Sequence, residues 1–140
     1  MISYRPYNED TKEIPFGKGF FKGWPNPPTE KTHRKILERS YRTFVAVDEE
    51  QNEIVGFINA ISDGILSCYI PLLEVIEGYQ GKRIGQELAK HMLNELQEFY
   101  MVDLTCDNEK QAFYEELGMF KSFGMVQRNF HNQNGIDLKK

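Results

Sequence analysis

The residue order predicts an α+β sandwich, a mixed sheet with helices on both faces. Three observations carry that expectation. Apolar and polar residues alternate through 2–7, 41–48 and 53–62, the period of a half-buried strand. Ile84, Leu88, Met92 and Leu96 recur at four-residue spacing, the stripe of a helix lying on a sheet. Between these patterns, from Val75 to Leu88, an apolar strand runs through a glycine-containing turn directly into that helix.

The elements follow in order. Residues 2–7 form a first strand, and Pro6 places it at an edge or an end because proline has no N–H to donate. Residues 14–28 hold Phe16, Phe20, Phe21 and Trp24 among three glycines and four prolines, which predicts a broken helix or an irregular loop. Residues 29–40 read as a helix capped by Thr29, with His33, Ile36 and Leu37 on its buried face. Strands at 41–48 and 53–62 pair across the turn 49–52. After Asp63-Gly64, residues 65–76 form a long strand with Pro71 inside it, which demands a bulge or a local loss of pairing. A helix at 83–99, a short strand at 101–105 and a helix at 108–117 ended by Gly118 come next. Residues 119–130 are expected to finish the sheet as a strand or hairpin, leaving a polar tail.

Composition bounds the function. At 140 residues and 40% hydrophobic content, one globular domain spanning 1–140 is expected. A net charge of −4 argues against nucleic acid or an anionic membrane as the main partner. No apolar run has the length of a membrane span and no signal peptide opens the chain, so the expected setting is cytoplasmic. Cys68 and Cys106 are too few for a disulfide scaffold or a metal knuckle. His33, His91 and His131 lack ligand spacing, so no metal is expected. Exposed sheet edges would permit a homodimer.

The chemistry gathers at the glycine turn. Gly81 and Gly85 allow close backbone approach, and the first turn of the following helix offers unpaired N–H groups at its positive end. With Lys82 and Arg83 beside them, these features predict a seat for a phosphate or diphosphate. A Walker A loop would need Ser or Thr after its lysine, and a dinucleotide fingerprint would need G-x-G-x-x-G; neither is present.

The stretch Gln80-Gly81-Lys82-Arg83-Ile84-Gly85 resembles the acetyl-CoA signature Q/R-x-x-G-x-G/A of the GCN5-related N-acetyltransferases (GNAT), with Arg83 in the place of the first glycine. Ala112-Phe113-Tyr114-Glu115-Glu116-Leu117-Gly118-Met119 resembles the family's Y-E-x-L-G-F segment, with Met119 for its Phe. The family's usual preceding asparagine falls at Asp107, and Asn108 lies one residue later. The resemblance implies an acyl-CoA N-acyltransferase fold, with a sheet of about seven strands splayed in the middle. It further implies acetyl-CoA as cofactor and direct attack by a primary amine, of a small molecule or an exposed amino group, on the thioester. Cofactor contacts are then expected from Leu73, Val75, Gln80, Gly81, Lys82, Arg83, Ile84, Gly85, Gln86, Asn108 and Phe113.

Two catalytic candidates follow. A phenol of pKa about 10 can donate to a departing thiolate whose thiol titrates near about 8.5, which suits Tyr114 as general acid. Glu74 is the candidate base, on the cofactor strand, although alternation points it away from the face that Leu73 and Val75 share. In histone-acetylating relatives a glutamate stands eleven residues before the signature, and that position is Tyr69 here, so a water chain ending on Glu74, Tyr69 or Asp63 is an equal alternative. The aromatic stretch Phe16-Phe20-Phe21-Trp24 either caps the core or, as the resemblance implies, walls the acceptor pocket; the latter is the expectation, with Phe21 and Trp24 as substrate contacts and Tyr69 as a third. The competing reading is a non-catalytic acyl-CoA-binding module of the same fold, and a nucleotide- or phosphate-sensing domain is a third.

Overall fold

The computed structural model describes residues 1–136. Its strands are β1 (Ile2–Pro6), β2 (Arg42–Asp48), β3 (Glu53–Ser62), β4 (Ser67–Val75) and β5 (Met101–Asp103). Its helices are α1 (Glu30–Arg39), α2 (Ile84–Glu95) and α3 (Gln111–Glu116). The sheet runs in order β1-β2-β3-β4-β5. The first four strands are antiparallel, and β5 joins β4 in parallel, so the sheet is mixed as predicted.

Alternation sorts the strand side chains between two cores. On one face α2 buries Ile84, Leu88, Ala89 and Met92 against Ala46, Ile58, Ala60 and Ile70, with Leu73 and Val75 beside them. On the other, Leu37 of α1 and Phe21 of the preceding loop meet Val45, Val47, Ile54 and Phe57. Thr29 caps α1, its side chain accepting from the Thr32 N–H at 3.1 Å. The loop before α1 contains turns and a single bridge, Phe16 to Ile54, but no helix.

Pro71 has the predicted effect. Asn59 pairs with Leu72 and Ile61 with Tyr69, so Ile70 and Pro71 stand together opposite Ala60 as a bulge. The pairing of β4 with β5 covers only Ser67 to Tyr69 and ends just before that bulge. Beyond it the two strands part.

Several boundaries differ from the sequence reading. The long strand starts at Ser67, because the Asp63 carboxylate accepts from the N–H groups of Ile65, Leu66 and Ser67 and folds its first residues into a turn. The main helix stops at Glu95, and Leu96 to Phe99 continue it only as a turn. The helix at 108–117 opens with a 3₁₀ turn, Asn108–Lys110, before α3.

The largest correction concerns the strand count, which is five among the described residues instead of about seven. Residues 119–129 belong to no strand, and Phe120, Phe123 and Met125 of that segment are exposed. Apolar content makes a segment capable of pairing. It carries no information on whether a neighbouring edge lies within reach.

His33 is buried at 2% exposure in a cage of aromatic rings, stacked on Phe16 at 4.3 Å and edge-on to Phe57 at 4.6 Å. Burial first, then the neighbouring Arg34 charge, lowers its pKa from 6.5 to about 4. Between those values the unfolded chain binds the proton and the folded chain does not, so stability falls as pH drops through that window. The full difference is about 3 kcal/mol at roughly 1.4 kcal/mol per pKa unit. Urea unfolding at pH 7 and pH 4.5 should show this loss, and His33→Leu should remove most of the slope between the two pH values.

Candidate active site

The site begins where β4 ends. Val75 is followed by a 3₁₀ turn, Glu77–Tyr79, and the Gln80 side chain turns back to donate to the Val75 carbonyl at 2.9 Å. Gly81 has φ +79° with open space around it, so glycine is needed there for the backbone conformation. Arg83 has φ +63° immediately before α2, in the left-handed region that glycine adopts without strain. This accounts for the glycine in the signature at that position. Gly85 has room for one further carbon, since a Cβ there would lie 3.8 Å from Val75 and 3.9 Å from Phe113. The alternation of Gly and Ala in the signature fits that space.

The first intrahelical bond of α2 is donated by Glu87 to the Arg83 carbonyl. None of the six backbone N–H groups from Gly81 to Gln86 donates to another described residue, and no side chain caps the helix. A run of donors unpaired among the described residues, at the positive end of a 12-residue helix, has the polarity that an anion requires. Lys82 lies over the Tyr79 ring at 5.4 Å, and the Tyr79 hydroxyl donates to Asp48 at 2.5 Å, fastening the turn to the end of β2. Ile84 contributes only main chain, because its side chain is buried in the α2 core.

A second set of free groups lies along β4. The Ile76 N–H donates to the Val55 carbonyl, so the alternate residues Glu74 and Leu72 direct their main chain toward β3. Leu73 and Val75 therefore direct theirs to the opposite edge, into the gap that opens where β5 leaves, where the Gln80 side chain already holds the Val75 carbonyl. An extended ligand arm could pair with that edge as a strand would.

Glu74 lies across β3–β4 from Phe57, on the face opposite Leu73 and Val75, as alternation predicts. That face is where the aromatic loop sits. The Phe21 N–H donates to Glu74 Oε1 at 2.8 Å, while Oε2 is buried without a partner. Burial raises the Glu74 pKa, and the Phe21 N–H opposes that shift in part. Phe21 itself is buried with φ +60°, and its ring packs edge-on to Trp24 at 4.9 Å, so Trp24 is the more accessible of the two.

Trp24 also lines a groove of about 290 Å³ with Arg128, Asn129, Phe130, Asn132 and Gln133. The Gln133 side chain accepts from the Asn26 N–H at 2.8 Å. This return of the tail to the aromatic loop brings together residues about a hundred positions apart, which local sequence pattern does not reveal. Tyr69 stands elsewhere, in a groove of about 450 Å³ with Ile61, Ser62, Asp63, Met101 and Asp103, its hydroxyl 2.9 Å from Thr105 Oγ1. The structure thus joins Glu74, Phe21 and Trp24 and sets Tyr69 apart.

Tyr114 is half-buried on α3, next to Phe113, whose ring faces the side of Gly85 where a Cβ would stand. Burial, then Cys106, raises its pKa, so the phenol keeps its proton at neutral pH. Asn108 is exposed at the start of the 3₁₀ turn. Two residues that sequence reasoning did not place in the site share the Glu74 face. They are His33, whose Nε2 has no partner, and Asn59, which donates to Ser40 Oγ at 3.0 Å but leaves its own Oδ1 unpaired. Asn59 had a visible signal, a lone amide inside the apolar run 54–61.

Residues 7–119 match the acetyltransferase (GNAT) family. A candidate acetyltransferase from Deinococcus radiodurans has a similar structure, with a TM-score of 0.86 and 40% identity over 97% of this chain and 94% of that one. A GNAT family protein of Streptococcus pneumoniae is similar at TM-score 0.68 and 25% identity, over 92% and 98% of the two chains. The candidate acetyltransferase TAP2 of Glycine max is 28% identical over 108 residues, 69% of this chain and 43% of that protein. The chain therefore spans less than half the length of that plant relative.

The left-handed Arg83 gives a direct test of the turn. Arg83→Gly should leave stability within about 0.5 kcal/mol, relief of strain offsetting the added chain entropy of glycine. Arg83→Val should lose about 1–2 kcal/mol in urea unfolding, because a β-branched residue fits that conformation poorly.

Proposed function

This chain belongs to the acetyltransferase (GNAT) family, and we propose that it moves the acetyl group of acetyl-CoA to a primary amine, of a small molecule or an exposed amino group, by direct attack. The observation that carries this reading is the row of N–H groups from Gly81 to Gln86 that have no partner among the described residues, adjoining the β4 edge where Leu73 and the Val75 N–H face the gap beside β5. A diphosphate matches the first in charge and donor geometry, and an amide-containing pantetheine arm matches the second.

In this proposal Gly81 to Gln86 hold the diphosphate through main-chain donors, with Lys82 and Arg83 supplying mobile positive charge. Leu73 and Val75 align the arm in the gap between β4 and β5. Acetyl-CoA supplies an activated thioester, and the chain's own residues manage the protons. Glu74 accepts the proton of the incoming ammonium through Oε2, directly or through water. A lysine-like amine of pKa about 10.4 is neutral in only roughly one molecule in a thousand at pH 7, so this assistance matters. A carboxylate raised by burial is a stronger base than an exposed one, and its orientation is fixed by the Phe21 N–H. Tyr114 keeps its proton and donates it to the departing thiolate. Trp24 offers an aromatic face to the cationic acceptor before it is deprotonated.

Release of free thiol from acetyl-CoA, measured against a panel of primary amines, tests the activity itself. Binding of coenzyme A without thiol release for any amine would favour the non-catalytic module. Tyr114→Phe should bind coenzyme A normally and lose at least about a hundredfold in kcat, the lower end of what a positioned acid contributes. The wild-type kcat/KM should rise with pH through an ionisation above the ordinary carboxylate range, and Glu74→Gln should abolish that limb. Lys82→Glu combined with Arg83→Glu should weaken coenzyme A binding at least about tenfold in calorimetry, as expected when two attractive charges become repulsive.

A further inference from the structure

We propose that Tyr79 and Asp48 are positioning residues for the diphosphate turn, the Tyr79 hydroxyl pinning residues 77–83 to the end of β2 before coenzyme A arrives. The inference rests on the cofactor reading above and adds what holds its donors in place. A row of main-chain N–H groups binds an anion tightly only when it is held in shape beforehand, because ordering a loose loop subtracts from affinity. This turn is poorly equipped to hold itself. Gly78 and Gly81 have nothing within 4 Å of where a Cβ would stand, and glycine has the freest backbone of any residue. From Glu77 to Arg83 every residue except Tyr79 is exposed.

Tyr79 is therefore the inward attachment of this stretch. Its ring packs at the rim of the α2 core, and its hydroxyl donates to Asp48 Oδ2. Asp48 is a firm anchor. It closes β2, is buried, and its Oδ1 accepts from the N–H groups of Glu50 and Gln51 at 2.9 and 3.2 Å. The other ties of the loop lie in water. Lys22 and Glu77 pair between side chains that are both about two-thirds exposed, where an ion pair contributes little. The Gln80 bond to the Val75 carbonyl is exposed as well. The Lys82 ammonium lies over the Tyr79 ring, so the same residue also steers the mobile charge of the turn. The Asp48 carboxylate cannot itself attract an anion, so its contribution to the turn is geometric.

Tyr79→Phe keeps the ring and removes the hydroxyl. Calorimetry should show its coenzyme A dissociation constant raised roughly fivefold, the size of one lost hydrogen bond, with kcat at saturating acetyl-CoA changed by less than about twofold. In the unliganded chain the ¹⁵N order parameters of Gly81, Lys82 and Arg83 should fall from about 0.85 towards about 0.6. Asp48→Asn should preserve the tie in the reverse sense, its Nδ2 donating to the phenol oxygen while Oδ1 keeps the backbone bonds, and so retain the affinity. Asp48→Ala should match Tyr79→Phe, and the double variant should lose little more than either alone. Unchanged order parameters or unchanged affinity in Tyr79→Phe would overturn the proposal. So would a loss in Asp48→Asn equal to that in Asp48→Ala. A wild-type chain that binds no coenzyme A would overturn the cofactor reading and this inference with it, a result distinct from failure of the variants alone.

Discussion

The structure depends on β4 having one occupied edge and one released edge. A strand in mid-sheet normally satisfies its main chain on both sides, and a buried unpaired peptide group costs about 1–3 kcal/mol. Here the pairing with β5 ends at Tyr69, just before the bulge at Ile70 and Pro71. The last turnings of β4 then face a gap on the β5 side while β3 still holds the other side through Ile76 and Val55. That asymmetry gives the strand rigidity and leaves main-chain donors and acceptors for a ligand. The free N–H groups at the start of α2 continue the same line of unsatisfied backbone around the corner.

The two faces of β4 then divide the labour. Leu73 and Val75 anchor the strand on the α2 core, whereas Glu74 emerges among the aromatic rings of the loop before α1. Strand alternation makes this division compulsory, because adjacent side chains cannot share a face. An open main-chain edge and a side-chain carboxylate can therefore be built from three consecutive residues without competing for space.

Much of this was legible in the sequence, and for identifiable reasons. The turn at 80–85 combines backbone demands with charge, and its positions have local consequences, as the positive φ of Gly81 and Arg83 shows. Pro71 forecast the bulge because a missing N–H acts where it stands. The α2 stripe was readable from its four-residue period, with Ile84, Leu88 and Met92 all buried as expected. Long-range matters were not legible. The contact of Gln133 with Asn26, the meeting of Phe21 with Glu74 and the unpaired state of 119–129 each depend on which distant segment arrives beside which. Alternation correctly put Glu74 opposite Leu73, yet only the fold shows that the opposite face is enclosed by the aromatic loop.

The loop before α1 is fastened to the β4 region at two neighbouring points, the Phe21 amide on Glu74 and the Lys22 ammonium on Glu77. One tie ends on a proposed base and the other beside the phosphate turn. Any group that approaches Glu74 Oε1 meets the Phe21 amide already resting there. Two adjacent residues of one loop thus tie the Glu74 carboxylate on β4 to the turn that leads into α2, so the two places share a common neighbour.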